Sequence, residues 1–363
     1  MSLASGIDTA APSRGVPRFL TETAARVRAD RWLYVVIALY TFLGLLFLHL
    51  VGATDRAAYE PYFLRWLLLF GFTLPAVTLL IELGLVLHRF DRRRGLALRR
   101  AFSPRRLGHF AAGLVLVMAM VFFQGTITSV KNAVFVWQGS FPYDRAQADI
   151  DAALHFGTDP WRYLHAIAGS DFARTAIEFN YNVLWFVICF GALFFVLTSP
   201  KTDAIRARYF ITFIVVWIVL GNLLAGLFLS AGPAFYGSVT GDTARFAEQI
   251  AFLARSAASP NSAAAYQDYL WTLHSSGQPG FGSGIAAFPS VHVGLITLNA
   301  LFVWERSRRW GALVFCYVAF VTASSVYLAW HYAIDGYAAI VVVIALYLLM
   351  RRLLPDRIPV KAS

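Results

Sequence analysis

The sequence predicts an all-α, polytopic integral membrane protein of about eight transmembrane helices, with both termini cytoplasmic. Three observations carry that expectation. The chain of 363 residues is 58% hydrophobic and only 14% charged, with a mean hydropathy of +0.60. A soluble protein of this size carries about 25% charged residues. The apolar residues gather in runs near the ~20 that cross a bilayer core, and a single chain satisfies its backbone there as helices. The cations, finally, fall in alternate connections between those runs.

The runs lie at roughly 32–52, 63–87, 109–128, 180–198, 209–231, 287–304, 311–329 and 334–352. Of the 31 Lys and Arg, five precede the first run, and eight lie between the second and third, from Arg89 through "DRRRG" to Arg105 and Arg106. Lys201, Arg206 and Arg208 follow the fourth run; Arg306, Arg308 and Arg309 follow the sixth; four more close the chain. Lys and Arg resist translocation, so these connections and both termini are assigned to the cytoplasm. The net charge of +11 is thereby explained by topology and anionic lipid, and nucleic acid is not an expected partner. No cleavable signal peptide is expected, because the first apolar run begins only near Trp32 and is too long for one. The organisation expected is a partly disordered cytoplasmic segment at 1–31, N-terminal spans at 32–128, an extracytoplasmic segment at 129–179, a helical bundle at 180–352 and a cytoplasmic tail at 353–363. Within the first of these, "RFLTETAARVRADRW" reads as a basic helix on the inner surface. The connection 129–179 reads either as helices lying on the membrane surface or as a small cap. The connection 232–286 holds one amphipathic helix candidate and then turn residues.

Cys189 and Cys316 each sit inside an apolar run and read as small core residues. Glu82 is expected to pair with a nearby Arg, and Asn222 and Asn299 to bond between helices. His49, His88, His109, His155 and His165 are expected at interfaces, while His274 shares an outer connection with the motifs that follow.

Three stretches break the apolar pattern at one membrane level: "LSAGPAFYG" (229–237), "AAFPSVHVG" (286–294) and "YLAWHYAIDG" (327–336). With the topology above, all three reach the outer edge. Histidine is nearly neutral at working pH and serves as nucleophile or proton donor. His331 and Asp335 are four residues apart; if the chain is helical there, both lie on one face, where a carboxylate fixes the imidazole tautomer and raises its basicity. That marks His331 as the nucleophile, and leaves His292, on another helix, as the general acid. Ser290, Pro289 and the amides opening the sixth run are candidates for holding phosphate oxygens, since a helix start carries unpaired N–H groups. Pro289 is equally a helix-start residue. Gly232 and Pro233 are the corresponding candidates from the first stretch.

The pairing of "PSVH" with "HYAID", 39 residues from His to His, resembles the second and third motifs of the type-2 phosphatidic acid phosphatase superfamily. The form "FPSVH…HYAIDG" is similar to the inositol phosphorylceramide synthase-like branch, with "AGPAFY" as a degenerate counterpart of that branch's Pro-rich aromatic segment. The resemblance covers about residues 180–352. It implies a helical bundle and a phosphohistidine intermediate, with His331 as nucleophile, Asp335 as its orienting carboxylate and His292 as the acid. Two cations of the superfamily are absent here. Pro233 follows Gly232 without an adjacent Lys or Arg, and Ser324 and Ser325 stand where the third motif opens Ser-Arg. Those serines either line the site or pack closely. Phosphate still needs positive charge, and Lys131, Arg145, Arg162, Arg174, Arg245 and Arg255 are the outer-side candidates.

The expected function is a lipid phosphotransferase acting on a phospholipid or polyprenyl-type phosphate at the extracytoplasmic leaflet of a plasma or inner membrane. Hydrolysis with water as acceptor, and a non-catalytic phosphate-lipid transporter or scaffold, are the alternatives. The partners expected are the bilayer and a lipid with a phosphate headgroup. No metal or other cofactor is called for, because the carboxylates do not cluster and both motif histidines already have roles. Nothing in the sequence bears on oligomeric state.

Overall fold

The computed structural model describes residues 15–90 and 92–355, so the expected disordered head and most of the tail lie outside the described residues. The described residues form helices and connecting loops, with no strand. Helix α1 (Gly15–Ala29) precedes α2 (Arg31–Leu50). Helices α3 (Glu60–Trp66) and α4 (Leu74–Arg89) join through a π-helical turn at Leu67–Thr73. A short α5 (Arg94–Ala101) leads to α6 (Pro104–Gln138), the longest helix described at 35 residues. The first outer connection folds as α7 (Asp144–Leu154), α8 (Trp161–Ala168) and α9 (Asp171–Phe179). Another π-helical turn, Asn180–Leu184, carries α9 into α10 (Trp185–Thr198). Helix α11 (Arg206–Ile218) runs on to α12 (Ala225–Leu227), followed by α13 (Tyr236–Thr240), α14 (Ala247–Ala254) and α15 (Ala263–Ser276). The chain closes with α16 (Val291–Arg306), α17 (Arg308–Tyr327) and α18 (Ala333–Leu353).

Among the described residues, seven helical units are long and apolar enough to cross a membrane: Arg31–Leu50, Thr54–Arg89, Arg94–Gln138, Asp171–Thr198, Arg206–Leu227, Arg308–Tyr327 and Ala333–Leu353. The expected run at 287–304 instead forms α16, only 16 residues long, packed among α11, α17 and α18 with its first half buried. Its opening residues through Ser290 are non-helical because they build the site described below. The third expected run, 109–128, is lengthened at both ends. Ser129 and Asn132 look like the end of a span, but α6 continues because tertiary partners satisfy them. Ser129 Oγ accepts the Ala58 N–H at 2.8 Å, and Asn132 Nδ2 donates to Ser283 Oγ at 2.9 Å. At 1.5 Å per residue a helix of this length spans about 52 Å, well beyond a ~30 Å hydrocarbon core.

The arginine-rich end of the bundle is cross-linked by ion pairs. Arg206 meets Asp30 at 2.5 Å, Arg26 meets Asp203 at 3.2 Å, and Arg208 meets Glu305 at 2.7 Å. Glu82 pairs with Arg106 at 3.6 Å, as anticipated. Asn222 donates to the Ile127 carbonyl at 3.1 Å and Asn299 accepts from Tyr209 at 2.7 Å, so both bond between helices. Two expectations fail. Cys316 is exposed on the outer surface of α17 rather than in the core, whereas Cys189 is buried. His109 is not interfacial: it is 1% exposed, because α1 and the 199–205 turn cover that part of α6. The exposed apolar side chains of α2 to α4, such as Phe42, Phe63, Phe72 and Leu80, form the kind of surface that lipid covers.

Close helix contact depends on Gly113. A Cβ there would overlap the carbonyl of Leu197, which is backbone and cannot swing aside. Gly113→Val is expected to destabilise the protein by about 2–4 kcal/mol through overpacking. Gly84→Ala, with nothing within 4 Å of its Cβ position, is expected to be neutral or slightly stabilising. Thermal unfolding in detergent checks the pair; equal midpoints would refute the packing argument.

Candidate active site

The three polar breaks meet through their backbones. Ala287 N–H donates to Ser230 O at 2.8 Å, Ala234 N–H to Ala329 O at 2.9 Å, and Ser290 N–H to Asp335 O at 3.1 Å. Residues 45 to 95 positions apart in sequence are thus stitched into one floor. Ala329, buried and at φ 60°, turns the chain sharply between α17 and His331. Such a conformation is uncommon for a residue with a side chain, and alanine is the smallest that has one.

A cavity of about 330 Å³ opens over this floor, and His292, His331, Pro289, Val291 and Trp330 line it. His331 Nδ1 lies 3.2 Å from Asp335 Oδ2, which also accepts the Tyr332 N–H at 3.0 Å. Asp335 is fully buried. With Nδ1 engaged, the free ring nitrogen of His331 is Nε2. His292 stacks on Tyr181 with ring centres 4.5 Å apart and packs on Trp185 at 3.9 Å, and its carbonyl accepts the Trp185 indole N–H at 2.9 Å. Two histidines, His292 in the first turn of α16 and His331 in the loop just before α18, therefore share one cavity, one of them paired with a carboxylate and the other held between aromatic rings.

A family model described as the PAP2 superfamily matches residues 146–349. The chain belongs to the PAP2 superfamily. Membership places its chemistry in the phosphatase or phosphotransferase class. No curated protein and no solved structure gives a match. The PAP2 region begins inside α7, earlier than the resemblance at about 180 suggested, so part of the outer connection belongs to it.

The remaining candidates fall into two groups. Pro289 is on the cavity wall. Ser290, Gly232 and Pro233 stand behind it. Ser290 is fully buried, and its hydroxyl accepts the Val293 N–H at 3.4 Å as the N-cap of α16. The Gly232 N–H is taken by Asp144 at 2.9 Å, and a Cβ at Gly232, whose φ is 89°, would lie 2.7 Å from the Trp330 carbonyl. Gly232 is thus required by close approach, and Pro233 starts the helical turn after it. Ser324 and Ser325 pack: their hydroxyls donate to Phe320 O at 2.7 Å and Thr322 O at 2.8 Å, within their own helix.

Sequence reasoning missed two carboxylates on α7. Asp144 is fully buried and accepts three hydrogen bonds, from Ala231 N–H at 2.7 Å, Gly232 N–H at 2.9 Å and the Tyr332 hydroxyl at 2.8 Å. Asp151 accepts the N–H groups of Ala333 at 3.0 Å and Ile334 at 3.1 Å, capping the helix that carries Asp335. Burial pushes both carboxyls above their ordinary value, and these donors work against that rise. Their seven-residue spacing puts both on one face of α7, together with buried Gln147 and Ala148, and is the signal that could have found them.

Proposed function

We propose that the protein is a membrane lipid phosphotransferase, closest in kind to the inositol phosphorylceramide synthase-like branch, working at the extracytoplasmic leaflet through a phosphohistidine. The observation that carries this reading is the His331–Asp335 pair facing the same cavity as His292. Nε2 of His331 attacks phosphorus, and the bond from phosphorus to the leaving oxygen breaks. His292 gives that oxygen a proton. The second half reverses the roles: His292 takes the proton of an acceptor hydroxyl, whose oxygen attacks phosphorus as the P–N bond breaks. Asp335 holds the Nδ1 proton and steadies the imidazolium that forms. Pro289 shapes the wall beside the phosphate, while Ser290, Gly232 and Pro233 support it through the helix cap and the tight turn.

Two features support a lipid substrate and an alcohol acceptor. The cavity is far larger than a phosphate and walled by rings such as Tyr62, Trp217, Tyr269 and Phe281, which leaves room for an acceptor in a water-poor setting. A second cavity, about 270 Å³, shares Asn182, Phe186 and Phe281 with the first and continues along Trp66, Leu69 and Phe70, toward the face where α3 and α4 expose their apolar side chains. That path suits a hydrocarbon tail. The charge pattern that assigns the arginine-rich end to the cytoplasm supports a site on the other leaflet.

Purified protein given a radiolabelled phospholipid and a panel of polyol and ceramide acceptors is expected to form a new labelled lipid with little free phosphate. Free phosphate as the dominant product with every acceptor would replace transfer by hydrolysis. Neither product at any protein concentration would leave a binding protein.

A further inference from the structure

We propose that Lys131, on α6 and outside the PAP2 match, supplies the phosphate-binding charge that the motifs of this chain lack. The inference rests on the phosphohistidine reading of the same cavity. Lys131 is one of three lysines in the chain, and among the described residues it is the one Lys or Arg on the cavity wall shared by His292 and His331. It lies close enough to His292 for the two to interact electrostatically. Thr128, one turn earlier on the same face of α6, also lines the cavity and holds the Tyr62 hydroxyl at 2.6 Å.

The other five outer-side candidates are occupied elsewhere. Arg145 donates to Thr240 O at 2.5 Å, Arg162 to Glu248 at 2.6 Å, and Arg174 meets Asp171 at 2.9 Å. Arg245 bridges Asp149 and Asp159, and Arg255 lies over the Phe252 ring, 5.3 Å from its centre. Lys131, by contrast, makes no ion pair and no hydrogen bond among the described residues. A partly buried ammonium without a counter-ion is costly, and the cost is reduced when the ligand itself brings the anion.

The stem of Lys131 is held in place. Gly284, at φ 85°, lies so close that a Cβ on it would come within 2.9 Å of Lys131 Cγ and 3.0 Å of Asn132 Oδ1. The Asn132–Ser283 hydrogen bond ties that loop to α6. The loop thus presses the lysine stem against the site, and the extension of α6 past its expected end is what carries the ammonium there.

Orthovanadate, a phosphate analogue, tests this on the full-length protein in detergent by isothermal titration. Lys131→Met is expected to bind about tenfold or more weakly, and Lys131→Arg to recover part of the loss, as a charge-assisted contact requires. His331→Asn is expected to weaken binding as well. If Lys131→Met binds like the unaltered protein while His331→Asn does not, the lysine assignment is overturned and the histidine reading stands. If His331→Asn binds like the unaltered protein, or the unaltered protein takes up no vanadate, the site reading falls, and the lysine assignment with it. A measurement without substitution covers a variant that fails to fold. Saturating vanadate is expected to slow amine-reagent labelling of Lys131 while leaving Lys201 unchanged; equal labelling of Lys131 with and without vanadate overturns the proposal.

Discussion

Replacing His331 with alanine or asparagine is expected to lower turnover by about a thousandfold or more, because in the proposed mechanism it removes the nucleophile and with it the covalent route. The two substitutions separate chemistry from folding. Asp335 is fully buried and one of its oxygens receives the His331 ring at 3.2 Å. Alanine withdraws that donor and is expected to cost about 1–3 kcal/mol of stability as well. Asparagine places an amide N–H near the former Nδ1, so the melting midpoint is expected to stay close to that of the unaltered protein while activity is lost equally. Trapping supports the same point: brief reaction with a radiolabelled lipid phosphate, followed by alkaline quench, is expected to leave label on the unaltered chain and none on His331→Asn. An asparagine variant that keeps a tenth of the original rate would rule out His331 as nucleophile.

The second large effect is expected at Asp144, which does not line the cavity. Asp144→Ala leaves the Ala231 and Gly232 N–H groups and the Tyr332 hydroxyl without their acceptor in a buried place. Three unsatisfied buried donors are expected to cost about 3–5 kcal/mol. Because Tyr332 adjoins His331 and Ala231 lines the cavity, activity is expected to fall further than stability alone explains. Asp144→Asn keeps one acceptor oxygen and is expected to be intermediate on both counts. Thermal unfolding in detergent, read beside turnover, checks this. A midpoint for Asp144→Ala within about 1 °C of the unaltered protein would mean that the clamp on the floor of the site carries no energy.

Much of the site was legible because it violates the pattern around it. Proline, serine and histidine interrupting apolar runs at 289–292, and a His and an Asp one turn apart at 331 and 335, are exceptions that a bilayer tolerates only where protein or water receives them. Alternating cations then put the three interruptions at one level, and the backbone bonds between Ala287 and Ser230, Ala234 and Ala329, and Ser290 and Asp335 bear out their convergence. Asp144 and Asp151 were not legible in the same way. They sit in a mildly acidic connection where a carboxylate is ordinarily solvated, and the donors they serve lie 87 and 182 residues further along the chain. Ser290, Gly232 and Pro233 were legible as unusual residues, though not as residues that stand behind the cavity wall.

Composition, run length and local motifs are properties of neighbouring residues, so the chain alone determined an all-helical membrane protein and pointed to the two histidines that share one cavity. Which cation accompanies them was decided only in three dimensions. Six candidates of equal standing differ solely in what surrounds them once folded: carboxylates, carbonyls and a ring occupy the arginines, and Lys131 alone reaches the histidine cavity on a helix whose polar stretch is sustained by Ala58 and Ser283. Satisfaction of a buried polar group depends on partners distant in sequence, and that information exists only in the packed bundle.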